Sequence, residues 1–135
     1  MTGKVVWVVD GDTIHVRIGQ RVEKVRYIGV NAPEIPHEVR YWQKGGPRAS
    51  AVNRTLVAKH AVRLELDVSH RDRWGRLLAY AWVMRARKRV MANAEMVRRG
   101  YAQVMTIPPN VKHQALFLRL QREARQAGRG LWSGA

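Results

Sequence analysis

The sequence predicts an α+β fold, a small barrel of five short β-strands capped by three α-helices. Two observations carry that expectation. Turn residues cut the first thirty positions into three strand-like runs, and two more such runs follow in mid-chain. Three other segments repeat apolar residues at helical spacing. The length, 135 residues with 46% apolar, suits one domain over 1–135 with a core of its own.

Val5 to Val9 is an apolar run that stops at the turn-forming Asp10-Gly11-Asp12, and Thr13 to Ile18 then alternates apolar and polar residues. Gly19-Gln20 separates it from a third run, Val22 to Val30, whose irregular alternation predicts a bulge. Three strands with tight turns read as an antiparallel meander. From Asn31 to Gly46 the pattern vanishes into a long loop marked by Pro33, Pro36 and Gly45-Gly46. Pro47 then suits the first turn of a helix carrying Ala49, Val52 and Leu56 on one stripe. Ala61 to Val68 is a fourth strand, His70 to Gly75 a charged turn, Leu77 to Met84 a fifth strand, and Arg85 to Arg89 a basic turn. Met91 to Arg99 reads as a short helix closed by Gly100. Pro108-Pro109-Asn110 is expected to open a last helix, with Leu116, Phe117, Leu120 and Ala124 facing inward and Gly128 ending it. Five strands interrupted by one helix and followed by two match the oligonucleotide-binding plan, a barrel with an open face.

Charge narrows the function classes. Lys and Arg number 25 against 10 Asp and Glu, a formal net charge of +15. Such an excess repels itself unless it faces a polyanion, so nucleic acid is the first partner to consider and an anionic membrane the second. No basic amphipathic helix with a broad apolar face appears, and no apolar run nears the roughly 20 residues of a helical span, so no membrane partner is expected. The cations are mostly arginine, whose fork grips two phosphate oxygens at once. Five Trp and four Tyr stand against one Phe; ring faces can stack on bases, although most of these rings are expected in the core. Cysteine is absent, which excludes disulfides, thiolate metal sites and thiol nucleophiles. The N-terminus shows no charged leader with an apolar block; location stays open between the cytoplasm and secretion after removal of a leader.

Three constellations carry chemistry. Asp10-Gly11-Asp12-Thr13 puts two carboxylates on a tight turn, which suits a hard cation and suits an ordinary β-turn as well. Arg26 on a strand, Asn31 at its end and Glu34 after Pro33 place a cation, an oxygen ligand and a base within nine residues. Asp72-Arg73-Trp74-Gly75-Arg76 is a charged turn from which Arg76 can meet a phosphate. The histidines are scattered without ligand spacing and are expected on surfaces.

In this order the three resemble the staphylococcal nuclease (thermonuclease) family. Further matching pieces are Gly46 to Ala51, Asn93 to Ala102 and Gly130-Leu131-Trp132, so the resemblance covers nearly the whole chain. It implies the five-stranded oligonucleotide-binding barrel with three helices. It also implies roles. Asp12 and Asn31 match calcium ligands, Ala32 would add its backbone carbonyl, and Asp10 would act from the outer sphere through water. Glu34 matches the general base, Arg26 and Arg76 match the pair that grips the scissile phosphate, and Arg73 and Trp74 are expected to contact substrate. Trp74 replaces a family tyrosine, Asn31 a carboxylate and Ala32 a threonine. Met105, Thr106 and Ile107 stand where the family shows tyrosines. The function implied is a calcium-dependent phosphodiesterase cutting DNA and RNA, single strands preferred, with 5′-hydroxyl and 3′-phosphate ends and a monomeric enzyme. The alternative is a non-catalytic nucleic-acid-binding module of the same fold, which the Asn31 substitution favours. The joint presence of Asp12, Arg26, Glu34 and Arg76 favours the enzyme.

Overall fold

A computed structural model of the chain describes residues 1–33 and 45–133. Strands β1 (Thr2–Asp10), β2 (Thr13–Ile18) and β3 (Arg21–Tyr27) form the expected antiparallel meander. The two-residue β4 (Val30–Asn31) follows, and β5 (Ala61–Glu65) and β6 (Leu77–Arg85) come after helix α1 (Gly46–Val57). β1 pairs with β5, β5 with β6, and β6 runs parallel to β3 through Val25↔Leu77, Arg26↔Leu78 and Tyr27↔Ala79. That last pairing closes β1, β2, β3, β6 and β5 into a ring, the five-stranded barrel expected, with no free edge. Val5, Ile14, Val16, Val25, Leu64 and Ala79 are buried, as the period of two requires.

Helix α2 (Ala92–Arg98) and helix α3 (Gln114–Ala127) complete the expected three. α3 buries Phe117, Leu120 and Ala124 and ends at Gly128, as its stripe predicts. Asn93 has no exposed surface; its Nδ2 donates to the carbonyls of Ile28 (2.9 Å) and Ala79 (3.2 Å), and its Oδ1 accepts from the Ala81 amide (2.9 Å). One amide thus ties the start of α2 to the end of the meander and to β6. Among the described residues, no helix is long and apolar enough to cross a membrane.

The structure corrects several expectations. The bulge lies on β1, between Val5 and Trp7 and again between Val8 and Asp10, while β2 and β3 pair without a break. β3 stops at Tyr27, and Val30 belongs to β4, which pairs with the two-residue β8 (Gln103–Val104). The basic turn is a hairpin: β7 (Lys88–Met91) pairs with β6 across Ala86 and Arg87, both at positive φ. Pro108 to Asn110 does not open the last helix, which begins at Gln114. Asn110 is held instead by Ser69, whose amide and carbonyl each bond its side chain at 2.8 Å. His113 is not a surface group either, packing edge-on to the buried Tyr80 ring.

Candidate active site

Asp10 ends β1 and Asp12 precedes β2, so the acidic turn sits where two barrel strands meet. Gly11 between them is required by close approach: a Cβ there would lie 2.6 Å from Cβ of Ala32 and 3.0 Å from Cβ of Ala49. Asp12 is buried. Its Oδ1 accepts from the Thr13 hydroxyl and its Oδ2 from the Ala32 amide, both at 2.8 Å, with Arg26 Nη2 3.4 Å from Oδ2. Asp10 is braced from behind, its carbonyl accepting from Asn53 Nδ2 (2.8 Å) while Asn53 Oδ1 accepts from the buried Tyr27 hydroxyl (2.7 Å). Burial, then the neighbouring Asp12 charge, pushes the Asp10 carboxyl up to about 7.

Arg26 on β3 is held along its fork. Nη1 donates to the carbonyls of Tyr27 (2.8 Å) and Val30 (2.7 Å), and Nη2 donates to Asn31 Oδ1 (3.3 Å). Arg76 is held differently. Asp72 Oδ2 accepts from its Nε at 2.7 Å and Asp72 Oδ1 accepts from its amide at 2.9 Å, and among the described residues no hydrogen bond occupies either Nη group. The turn that permits this closes at Gly75, whose φ of 82° is a left-handed conformation costly to other residues.

These groups face one cavity of about 530 Å³. Asp10, Asp12, Arg26 and Asn31 form one wall and Arg76 and Trp74 another, while Leu78, Met105, Ile107 and Pro108 supply an apolar side. Six of the expected site residues are therefore brought together. Arg73 is not among the lining residues; it stacks on Trp74, 4.3 Å from the ring centroid. Ala32 enters through its amide, bonded to Asp12, and its side chain is buried. Glu34 lies outside the described residues. Sequence reasoning missed Asn53, Asn110 and the Leu78 and Pro108 part of the apolar wall, whereas Met105 and Ile107 were noted at the family's tyrosine positions. The one available signal was Asn53 itself, a polar residue four positions from Ala49 on the buried stripe of α1.

The sequence profile of the staphylococcal nuclease homologue family matches residues 24–134. The chain belongs to the staphylococcal nuclease family. It is 34% identical over 132 residues to the thermonuclease of Staphylococcus hyicus, covering 98% of this chain and 76% of that protein. The thermonuclease of Staphylococcus intermedius is also 34% identical, over 93% of this chain and 72% of its own. A prophage-derived endonuclease of Bacillus subtilis is 35% identical, over 93% of this chain and 42% of its own. Both the family and the enzyme class expected from the sequence, a nuclease hydrolase, are thus met.

Proposed function

We propose that the protein is a calcium-dependent phosphodiesterase that cuts DNA and RNA, single strands preferentially, and leaves 5′-hydroxyl and 3′-phosphate ends. The observation that carries this reading is the meeting of two carboxylates and two guanidinium groups on one cavity, Asp10, Asp12, Arg26 and Arg76. Phosphodiester hydrolysis takes a singly charged group to a five-coordinate state with more negative charge. Cations fixed beforehand around that position lower the barrier, and one such group is worth about 3 kcal/mol. Arg76 offers its Nη groups to the phosphate, and Asp72 fixes their direction through Nε. Arg26 is already bound to backbone carbonyls, so its charge acts with little reorganisation. Glu34 takes the proton of the attacking water in this reading. The water oxygen bonds to phosphorus, the P–O5′ bond breaks, and O5′ leaves with a proton.

The donor set fits a hard divalent cation. Asp10, Asp12 and Asn31 offer carboxylate and amide oxygens, and a cation would draw the Asp10 carboxyl, raised by burial first and by the Asp12 charge second, back to its ionised form. Asp12 and Asn31 would hold the ion, with the Ala32 carbonyl and with Asp10 through water. Bound there, calcium would add positive charge beside the phosphate. The apolar wall of Met105, Ile107 and Leu78 suits one unstacked base, which favours single strands. All these groups come from one chain, in keeping with a monomer.

One observation favours a non-catalytic binding module. Among the described residues, no three acidic or histidine side chains converge on a metal position, and Asn31 Oδ1 already faces Arg26. The two readings separate when single-stranded DNA and RNA are incubated with calcium and then with EDTA. Cleavage in calcium alone, with 3′-phosphate ends, is expected. Binding without cleavage in either condition would establish the module.

A further inference from the structure

The outward face of the meander continues from the cavity as a strip that carries Lys24, Lys4 and Arg17. Side chains two apart share a face, and the pairings define three rows. Asp10, Thr13 and Arg26 line the cavity; Trp7, His15 and Lys24 come next; Lys4, Arg17 and Val22 come last. The intervening Val5, Val8, Ile14, Val16 and Val25 are buried, and the second and third rows point to solvent, with Trp7, Lys24, Lys4, Arg17 and Val22 exposed. Successive rows are about 7 Å apart, so the strip extends roughly 14 Å past the cavity, room for up to about four nucleotides at stacked spacing.

Its chemistry is that of a polynucleotide track. Lys4, Arg17 and Lys24 are exposed, and among the described residues none has a carboxylate within 4.0 Å. Arg71 and Arg98, by contrast, are paired with Glu23 and Glu95. Glu23, the one acid on β3, is engaged by Arg21 and Arg71. Trp7 is 64% exposed, a placement that costs a soluble surface its largest apolar side chain. The β1 bulge produces it: Val6 is the extra residue, and Trp7 is paired with the outward His15. An exposed indole beside unpaired cations is what non-specific single-strand binders use, the ring stacking on a base and the cations following the phosphates.

We propose that this strip binds the part of a single strand that lies beyond the cleaved bond, with Trp7 as a base-stacking platform and Lys24, Arg17 and Lys4 as phosphate contacts. The proposal rests on the nucleic-acid reading of the cavity. It makes the enzyme prefer longer strands to dinucleotides.

The test measures binding of labelled dT12 by anisotropy in EDTA, and KM and kcat for the same strand in calcium. Trp7→Ala is expected to weaken dT12 binding about tenfold, within the range of one lost base stack, and to raise KM with little change in kcat. Trp7→Phe should recover most of the loss. Lys4→Gln with Lys24→Gln should weaken binding about tenfold, whereas Arg122→Gln with Arg125→Gln, removing equal charge from the exposed side of α3, should cost less than threefold. Trp7→Ala binding within twofold of the parent, or equal losses from the two double variants, would overturn the strip. Absence of cleavage in calcium with these binding losses intact would overturn the nuclease reading and leave the strip standing.

Discussion

Asp72 holds Arg76 with both carboxylate oxygens, one on the amide and one on Nε, and so aims a guanidinium without neutralising its outer edge. Arg76→Ala is therefore expected to lose about a hundredfold in kcat, the usual loss for one pre-organised charge partner, while folding normally. Asp72→Ala should act through Arg76, lowering kcat by about tenfold with KM little changed, and adding nothing once Arg76 is already alanine. Steady-state kinetics of the two single variants and the double variant check this. Glu34→Gln should keep single-strand binding and lose roughly 10²-fold or more in cleavage, since an amide cannot take a proton from water. Parent-like cleavage would remove Glu34 from the mechanism. At this scale the sequence was legible where a charged residue stood in a motif, as with Asp12, Arg26 and Arg76. It was silent on Asn53, whose hydrogen bonds reach Tyr27 and Asp10 across the fold. Arg73, expected to contact substrate, lies against the Trp74 ring, 4.3 Å from its centroid, and is not among the cavity-lining residues.

Between elements, buried polar groups decide how the barrel is capped. Asn93→Ala would leave the Ile28 carbonyl and the Ala81 amide without this partner in the interior, at a cost of about 1–3 kcal/mol for each, while the Ala79 carbonyl keeps its bond from the Ile28 amide (3.0 Å). Urea denaturation should show that loss as a lower midpoint with an unchanged slope. Where β5 and β6 meet the start of α3, Glu65 accepts from Lys112, Trp82 and His113. Burial works against its ionisation, but these hydrogen bonds outweigh burial and hold its carboxyl down to about 2. A carboxyl depressed on folding stabilises the protein above its ordinary pKa, and that contribution is lost as pH falls from about 4.5 through about 2. The melting temperature of Glu65→Gln should thus fall less than the parent's over that window. Equal falls would mean that these bonds do not outlast solvent. Strand and helix order was readable from periodicity and glycines, because local patterns encode it. The β6–β7 hairpin was not, since its turn places Ala86 and Arg87 at positive φ without the usual glycine or asparagine, and the Asn110 clasp was not, since Ser69 lies 41 residues away.

Taken whole, the molecule carries +15 of charge on a barrel whose cavity gathers Asp10, Asp12, Arg26 and Arg76 at one end of the meander. Binding of single-stranded DNA in EDTA should weaken steeply between tens and hundreds of millimolar salt, because each neutralised phosphate releases counterions. A flat response would show that the charge does not meet nucleic acid. Fold and family were legible because six weak motifs fell in register along the chain; the identity of the metal was not, because Asn31 departs from the carboxylate pattern. That residue supplies the most direct test of the account, calcium titration of single-strand cleavage by the parent and by Asn31→Asp. If Asn31 contacts the ion, restoring a carboxylate adds a negative charge to the ligand set, and ligand charge tunes calcium affinity. The account predicts cleavage that depends on calcium in both proteins, with a lower half-maximal concentration in the variant. Identical calcium dependence would contradict Asn31 as a ligand, and no calcium effect on either protein would contradict the metal-dependent nuclease itself.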